Sequence, residues 1–165
     1  MTVQFENLSP GAKVWLFKSS KPVEESESSS FKNYVGQFLD QWLSHGDQVK
    51  GAFSFEHQQF LIIGAETNGG APSGCSTDTL FHFISNLSKE FGVDFMDNAG
   101  IYFRNNEEIN RIDFRDLKKN IAEGKLNEGT LVLNSQLNTK VDFDSKFFAP
   151  ALSILGPRPF ESAKG

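Results

Sequence analysis

The residues most able to do chemistry lie together in 69–78: Gly69, Gly70, Ala71, Pro72, Ser73, Gly74, Cys75, Ser76, Thr77 and Asp78. An apolar, strand-like run over 60–65 precedes them, and a periodic run over 80–91 reads as a helix. The spacing therefore places Cys75, the single cysteine, at a strand-to-helix turn. The first N–H groups of a helix have no partner within it, and the helix dipole is positive there. Two chemistries follow. An anion could be held by the backbone at Gly74 together with the hydroxyls of Ser73, Ser76 and Thr77. Alternatively, Cys75 could serve as a thiolate nucleophile, with Asp78 or Ser76 orienting it.

A nucleophile needs a base, and the chain has three histidines, His45, His57 and His82. His82 lies two turns along the same expected helix, roughly 10 Å from Cys75 at 1.5 Å per residue, too far for a direct hydrogen bond. His57 falls in an expected hairpin turn. His45 is expected in the last turn of the first helix. If the two helices run antiparallel, that turn and the Cys75 turn share one edge. A helix C-terminus favours imidazolium, and a helix N-terminus favours thiolate. The catalytic set for an enzyme is therefore Cys75, His45 and Asp78. A histidine that only caps its own helix, and a cysteine that only packs, are the structural alternatives.

Gly69 and Gly74 have the spacing of the two glycines in a phosphate-binding loop, and Ser76 stands where the magnesium-binding hydroxyl would be. Cys75 replaces the lysine. Sulfur cannot neutralise the β- and γ-phosphates as an ammonium does. Nucleotide hydrolysis is not expected.

Several elements must position these residues. A first strand is expected over 12–19, with Val14 and Leu16 on one side and Trp15 and Phe17 on the other. The acidic, serine-rich stretch 24–30 suits a helix start. Phe31, Tyr34, Val35, Phe38, Leu39, Trp42 and Leu43 then recur at helical spacing, with Gly46 as the stop. Strands are expected over 49–56 and 60–65, joined by a hairpin around His57 and Gln58. The second helix carries Leu80, Phe83, Ile84, Leu87 and Phe91 and ends at Gly92. A fourth strand follows over 101–104.

That order is β-α-β-β-α-β, which predicts an α+β fold with a ferredoxin-like core. In it the third strand lies between the first and the second. The third strand is apolar at every position from 60 to 63, so both its faces need cover. The expected cover is a C-terminal extension: a strand at 109–112, a helix over 113–123 with Phe114, Leu117 and Ile121 inward, a strand at 130–133, and a tail with Phe143, Phe147, Phe148, Leu152 and Leu155. The expectation is a single domain over 1–165, with the core at 12–104 and the extension at 105–165.

Bulk properties exclude several classes. The net charge of -5 argues against a nucleic-acid binder. Arg111, Arg115, Lys118, Lys119 and Lys125 form a local exception, but Asp113 and Asp116 interleave with them, as on a solvated helix face. No cysteine cluster suggests a metal, and no cofactor is expected. No apolar run approaches the ~20 residues of a membrane span, and no targeting segment is evident, so the expected location is the cytoplasm. The 17 phenylalanines read as an aromatic-rich core.

Two segments, Trp42-Leu43-Ser44-His45-Gly46 and Ser73-Gly74-Cys75-Ser76-Thr77-Asp78, resemble those of a small family of uncharacterised bacterial proteins often labelled "ABC transporter ATPase". The resemblance runs from about 12 to about 133 and implies no catalytic residue. No L-S-G-G-Q signature accompanies it. The functional expectation is a binding or regulatory module that holds a small anionic ligand or a protein partner at 69–78. The alternative is a thiol-dependent enzyme using Cys75 and His45.

Overall fold

The computed structural model describes residues 2–44 and 46–164. It is an α+β protein whose chain divides into two compact units, Met1–Asp97 with Leu137–Asp144, and Asn98–Gln136 with Ser145–Gly165.

In the first unit the order is β1 (Lys13–Lys18), α1 (Ser28–Gln41), the two-residue strands β2 (Leu43–Ser44) and β3 (Asp47–Gln48), β4 (Lys50–Glu56), β5 (Phe60–Glu66) and α2 (Gly74–Phe91). The main sheet has the order β1-β5-β4, and both pairings are antiparallel. The third long strand thus lies between the first and second, as the sequence order predicts. β4 and β5 meet at a tight turn in which His57 and Gln58 take φ of 56° and 58°. Those values suit the twist of a short hairpin connection.

β5 is buried from Phe60 to Ala65. Leu61, Ile63 and Ala65 join a core with Phe17 of β1, Phe31, Val35 and Leu39 of α1, and Leu80, Ile84 and Leu87 of α2. The helical residues recur every three or four positions, so each helix lays one stripe on the sheet. Aromatic pairs bind this layer, with Phe31 stacked on Phe55 at 4.3 Å and Phe38 on Phe83 at 4.1 Å.

The other face of β5 corrects the expected cover. Residues from before β1, which the expectation did not include, lie directly over it. At Gly64 an added Cβ would lie 2.5 Å from Leu8 Cδ1 and 3.2 Å from a Phe5 ring carbon. Phe5 and Leu8 are buried. The extension contributes through 137–144: Phe143 meets Phe5 edge-to-face at 5.1 Å, and the Lys140 ammonium lies 5.9 Å from the Phe5 ring centroid. Phe147 and Phe148 belong to the second unit, and Leu152 is exposed. The lid is also tied by charge. Burial pushes the Glu66 carboxyl up, but hydrogen bonding from Ser9 and the Lys50 ammonium, 3.2 Å away, outweighs it and holds the group below its ordinary range.

The fourth strand forms, but not in this sheet. β6 (Gly100–Asn105) pairs with β7 (Glu108–Asp113) across a short turn in which Asn106 has φ of 57°. Its other edge takes β8 (Leu131–Leu133), which pairs with β9 (Phe148–Pro150). With both edges of β6 filled locally, none remains for β1. Short segments meet the outer edge of β1 instead: Val14 N–H donates to Asn138 O at 3.0 Å, and Asp97 N–H donates to Lys18 O at 3.2 Å. The expected four-stranded sheet is therefore not formed: β1, β5 and β4 pair in one sheet and β6 lies in the other.

The second unit carries the sheet β7-β6-β8-β9 and the helices α3 (Leu117–Ala122), α5 (Ala151–Leu155) and α6 (Arg158–Lys164); α4 (Lys140–Lys146) crosses the division between units. Ile101, Phe103, Leu117, Val132 and Phe160 share its core. The expected helix over 113–123 starts late, since Phe114–Asp116 is a 3-10 turn. The change of pitch turns Phe114 outward, to 66% exposure, contrary to the inward position expected for it.

Two outcomes test the lid. Gly64→Ala should cost about 1–3 kcal/mol by overpacking, and Leu8→Ala about 2–4 kcal/mol by leaving a cavity. Adding Leu8→Ala to Gly64→Ala should cost less than the sum, measured by urea denaturation. Glu66 has a lowered carboxyl in the folded state, so its stabilisation is present above the ordinary glutamate range and is lost as pH falls through the folded value. The acid limb of the stability profile should therefore be shallower in Glu66→Gln.

Candidate functional site

α2 starts at Gly74, ahead of the periodic run expected over 80–91, and Cys75 sits in its first turn, exposed. Ser73 is the N-cap, and its hydroxyl oxygen accepts from Ser76 N–H at 3.2 Å. The preceding loop closes on itself, with Thr67 N–H bonded to Gly70 O at 2.7 Å.

The first turn of α2 is clasped by three consecutive residues that follow α1. Trp42 Nε1–H donates to Ser76 O at 3.0 Å. The Ser76 hydroxyl donates to Leu43 O at 2.7 Å. Ser73 N–H donates to Ser44 Oγ at 3.0 Å. This clasp explains why α1 stops at Gln41, short of the expected end. Trp42 turns to an extended conformation, ψ 130°, and buries its indole with its N–H satisfied. Leu43 leaves the helix and is 51% exposed. Gly46, with φ of 84°, serves the turn between β2 and β3 rather than ending α1.

The hydrogen bonds settle where the hydroxyl protons go. Ser76 has one, and it is directed at Leu43 O. The contact of 2.9 Å between Ser73 Oγ and Ser76 Oγ must then use the Ser73 proton. The Thr77 hydroxyl donates to Ser73 O at 3.0 Å. All three hydroxyls expected as ligand donors are thus engaged in hydrogen bonds within the protein. Ser76 is 3% exposed and sits one turn before Leu80 on the buried stripe. Extending that period by one turn would have revealed this from sequence. Ser76 is buried and its oxygen is already in contact with Ser73 Oγ, so that oxygen is not presented as a magnesium ligand. The remaining donors at the helix start are the backbone N–H groups of the exposed Gly74 and Cys75.

Asp78 is exposed on the next turn. His45 lies outside the described residues, and α1 ends before it, so the expected place in the last turn of that helix is not formed. His57 is in the β4–β5 turn, and His82 is two turns beyond Cys75 on α2. Among the described residues no group of three or more His, Cys, Asp or Glu side chains could hold a metal ion. No described helix is long and apolar enough to cross a membrane.

Sequence reasoning missed a depression of about 440 Å³ beside this turn, lined by Asp78, Phe81, His82 and Ser85. Phe81 is 40% exposed, although its ring also meets Phe17 edge-on at 5.6 Å. The available signal was an aromatic residue off the apolar stripe of α2. Elsewhere, Arg111, Lys119 and Lys125 share a polar depression of about 300 Å³ with Asp113, Asp116 and Glu123. Mixed charge there fits a solvated surface, with Lys125 paired to Glu123 at 3.2 Å.

Compared with protein-family models, curated proteins and solved structures, the chain has no significant match. The class defined by the coordinates is an α+β protein with antiparallel sheets, its candidate site at a clasped helix start.

The clasp predicts a stability effect. Trp42→Phe keeps an aromatic ring but removes the pyrrole part of the indole with its buried N–H, and Ser76→Ala strands Leu43 O. Each should cost about 1–3 kcal/mol. Urea midpoints unchanged in both variants would mean that the clasp carries no stability.

Proposed function

We propose that this chain is a non-enzymatic, cytoplasmic binding module that contacts a protein partner through the first turns of α2. We read the first unit as a ferredoxin-like core lacking its fourth strand, and this surface as its working edge. One observation carries the reading. The three hydroxyls are engaged in hydrogen bonds within the protein, while an exposed aromatic and an open depression remain beside the helix start. The fitting partner segment carries a carboxylate or phosphate against the Gly74 and Cys75 amides and an apolar side chain against Phe81. The bacterial-family resemblance supports the same place, because its two segments are the ones that the clasp joins.

Anilinonaphthalene sulfonate mimics such a segment, with one anion on an apolar ring system. Its binding should shift the amide resonances of Gly74, Cys75, Asp78 and His82. Phe81→Ser should weaken it roughly tenfold, the order expected for a truncated aromatic anchor. Shifts confined to other residues would overturn the reading.

A second reading rests on the exposure of Cys75. It makes Cys75 the nucleophile of a thiol-dependent enzyme, with His45 as base and Asp78 as the orienting group. Alkylation rate against pH separates the two. A midpoint well below about 8.5 that rises in His45→Ala would favour the thiol reading, and an ordinary midpoint would favour the binding module.

A further inference from the structure

The sheet of the first unit has an unfinished edge at β4. Gly51 O accepts from Val3 N–H at 2.8 Å on the side away from β5. Backbone groups alternate in direction along a strand, so Phe53 and Phe55 also point their N–H and C=O groups outward. Neither has a backbone partner on that side among the described residues. The edge is closed at Gly51 by Thr2 and Val3 and then left open up to the turn at His57. It holds two donors and two acceptors, flanked by half-buried phenylalanines and no charge until Glu56. Edge strands are ordinarily protected by charge, proline or a bulge, and this stretch has none of the three.

We infer that the occupant of this edge is a second copy of the chain, with β4 pairing antiparallel to β4 of the partner about a two-fold axis at Ser54. The pattern is self-complementary. Phe53 N–H meets the partner's Phe55 C=O, Phe53 C=O meets the partner's Phe55 N–H, and symmetry repeats both bonds. All four open groups on each chain are satisfied. Phe53 and the partner's Phe55 become cross-strand neighbours on the helix-covered face, a favourable aromatic pair. The partner strand reaches its own turn at the level of Gly51, where Thr2 and Val3 already close the edge. Two three-stranded sheets thereby become one of six strands, a common sheet size. The interface is isologous, as closed dimers require.

In this register Ser54 faces the partner's Ser54 in the close, non-hydrogen-bonded pair, with Cα atoms about 4.5 Å apart. Sedimentation equilibrium of the whole chain should give a dimer. Ser54→Lys places two ammonium groups opposite each other and should give a monomer with the parental circular dichroism. In a Cys75→Ser background, Ser54→Cys should form an intermolecular disulfide on mild oxidation with copper-phenanthroline, since the spacing fits one. Glu56→Cys, which faces the partner's Ala52, should not. The disulfide decides the matter if Ser54→Lys fails to fold. A parent that stays monomeric at every concentration reached overturns the proposal, as does a dimer in which Ser54→Cys forms no disulfide.

Discussion

Strand β5 constrains the rest of the first unit, because it has no side that can face water. Phe60, Leu61, Ile62 and Ile63 are all fully buried, and each is worth about 1.5–3 kcal/mol when withdrawn from solvent. A strand of that kind must have a neighbour on each edge and a layer on each face. β1 and β4 supply the edges, the helices supply one face, and the segment before β1 supplies the other. Gly64 is small because that segment lies directly over it.

The same burial fixes the helix start at the candidate site. α2 must lay Leu80, Ile84 and Leu87 on the sheet, and this stripe carries Ser76 inward with them. A buried hydroxyl requires a partner, which Leu43 O supplies. The clasp between 42–44 and 73–76 is thus a consequence of packing. It fixes the junction that follows α1 and engages the Ser76 hydroxyl, while those of Ser73 and Thr77 are held by bonds within 73–77. Cys75, Asp78 and His82 face outward, and Phe81 packs one edge on Phe17 while leaving part of its ring exposed.

Local pairing also outcompetes long-range pairing in this chain. β6 follows the second helix as a fourth strand should, yet a short turn delivers β7 to its edge at once, while β1 is far away in sequence. Closing a short loop costs much less entropy than closing a long one. The outer edge of β1 is left to short pieces of chain around Asp97 and Asn138.

The sequence alone determined the periodicities. Alternation gave the faces of β1 and β4, the unbroken apolar run marked β5 as buried on both faces, and the three-to-four spacing gave the inward stripes of α1 and α2. The strand–turn–helix setting of Cys75 was legible for the same reason, since it depends on neighbours close in the chain. Tertiary structure alone decided what lies on the second face of β5, which sheet receives β6, and where the proton of Ser76 goes. Those outcomes depend on contacts between residues distant in sequence, such as Leu8 with Gly64 and Leu43 with Ser76. A period describes which way a side chain points, whereas the identity of what it meets is set by how the elements pack.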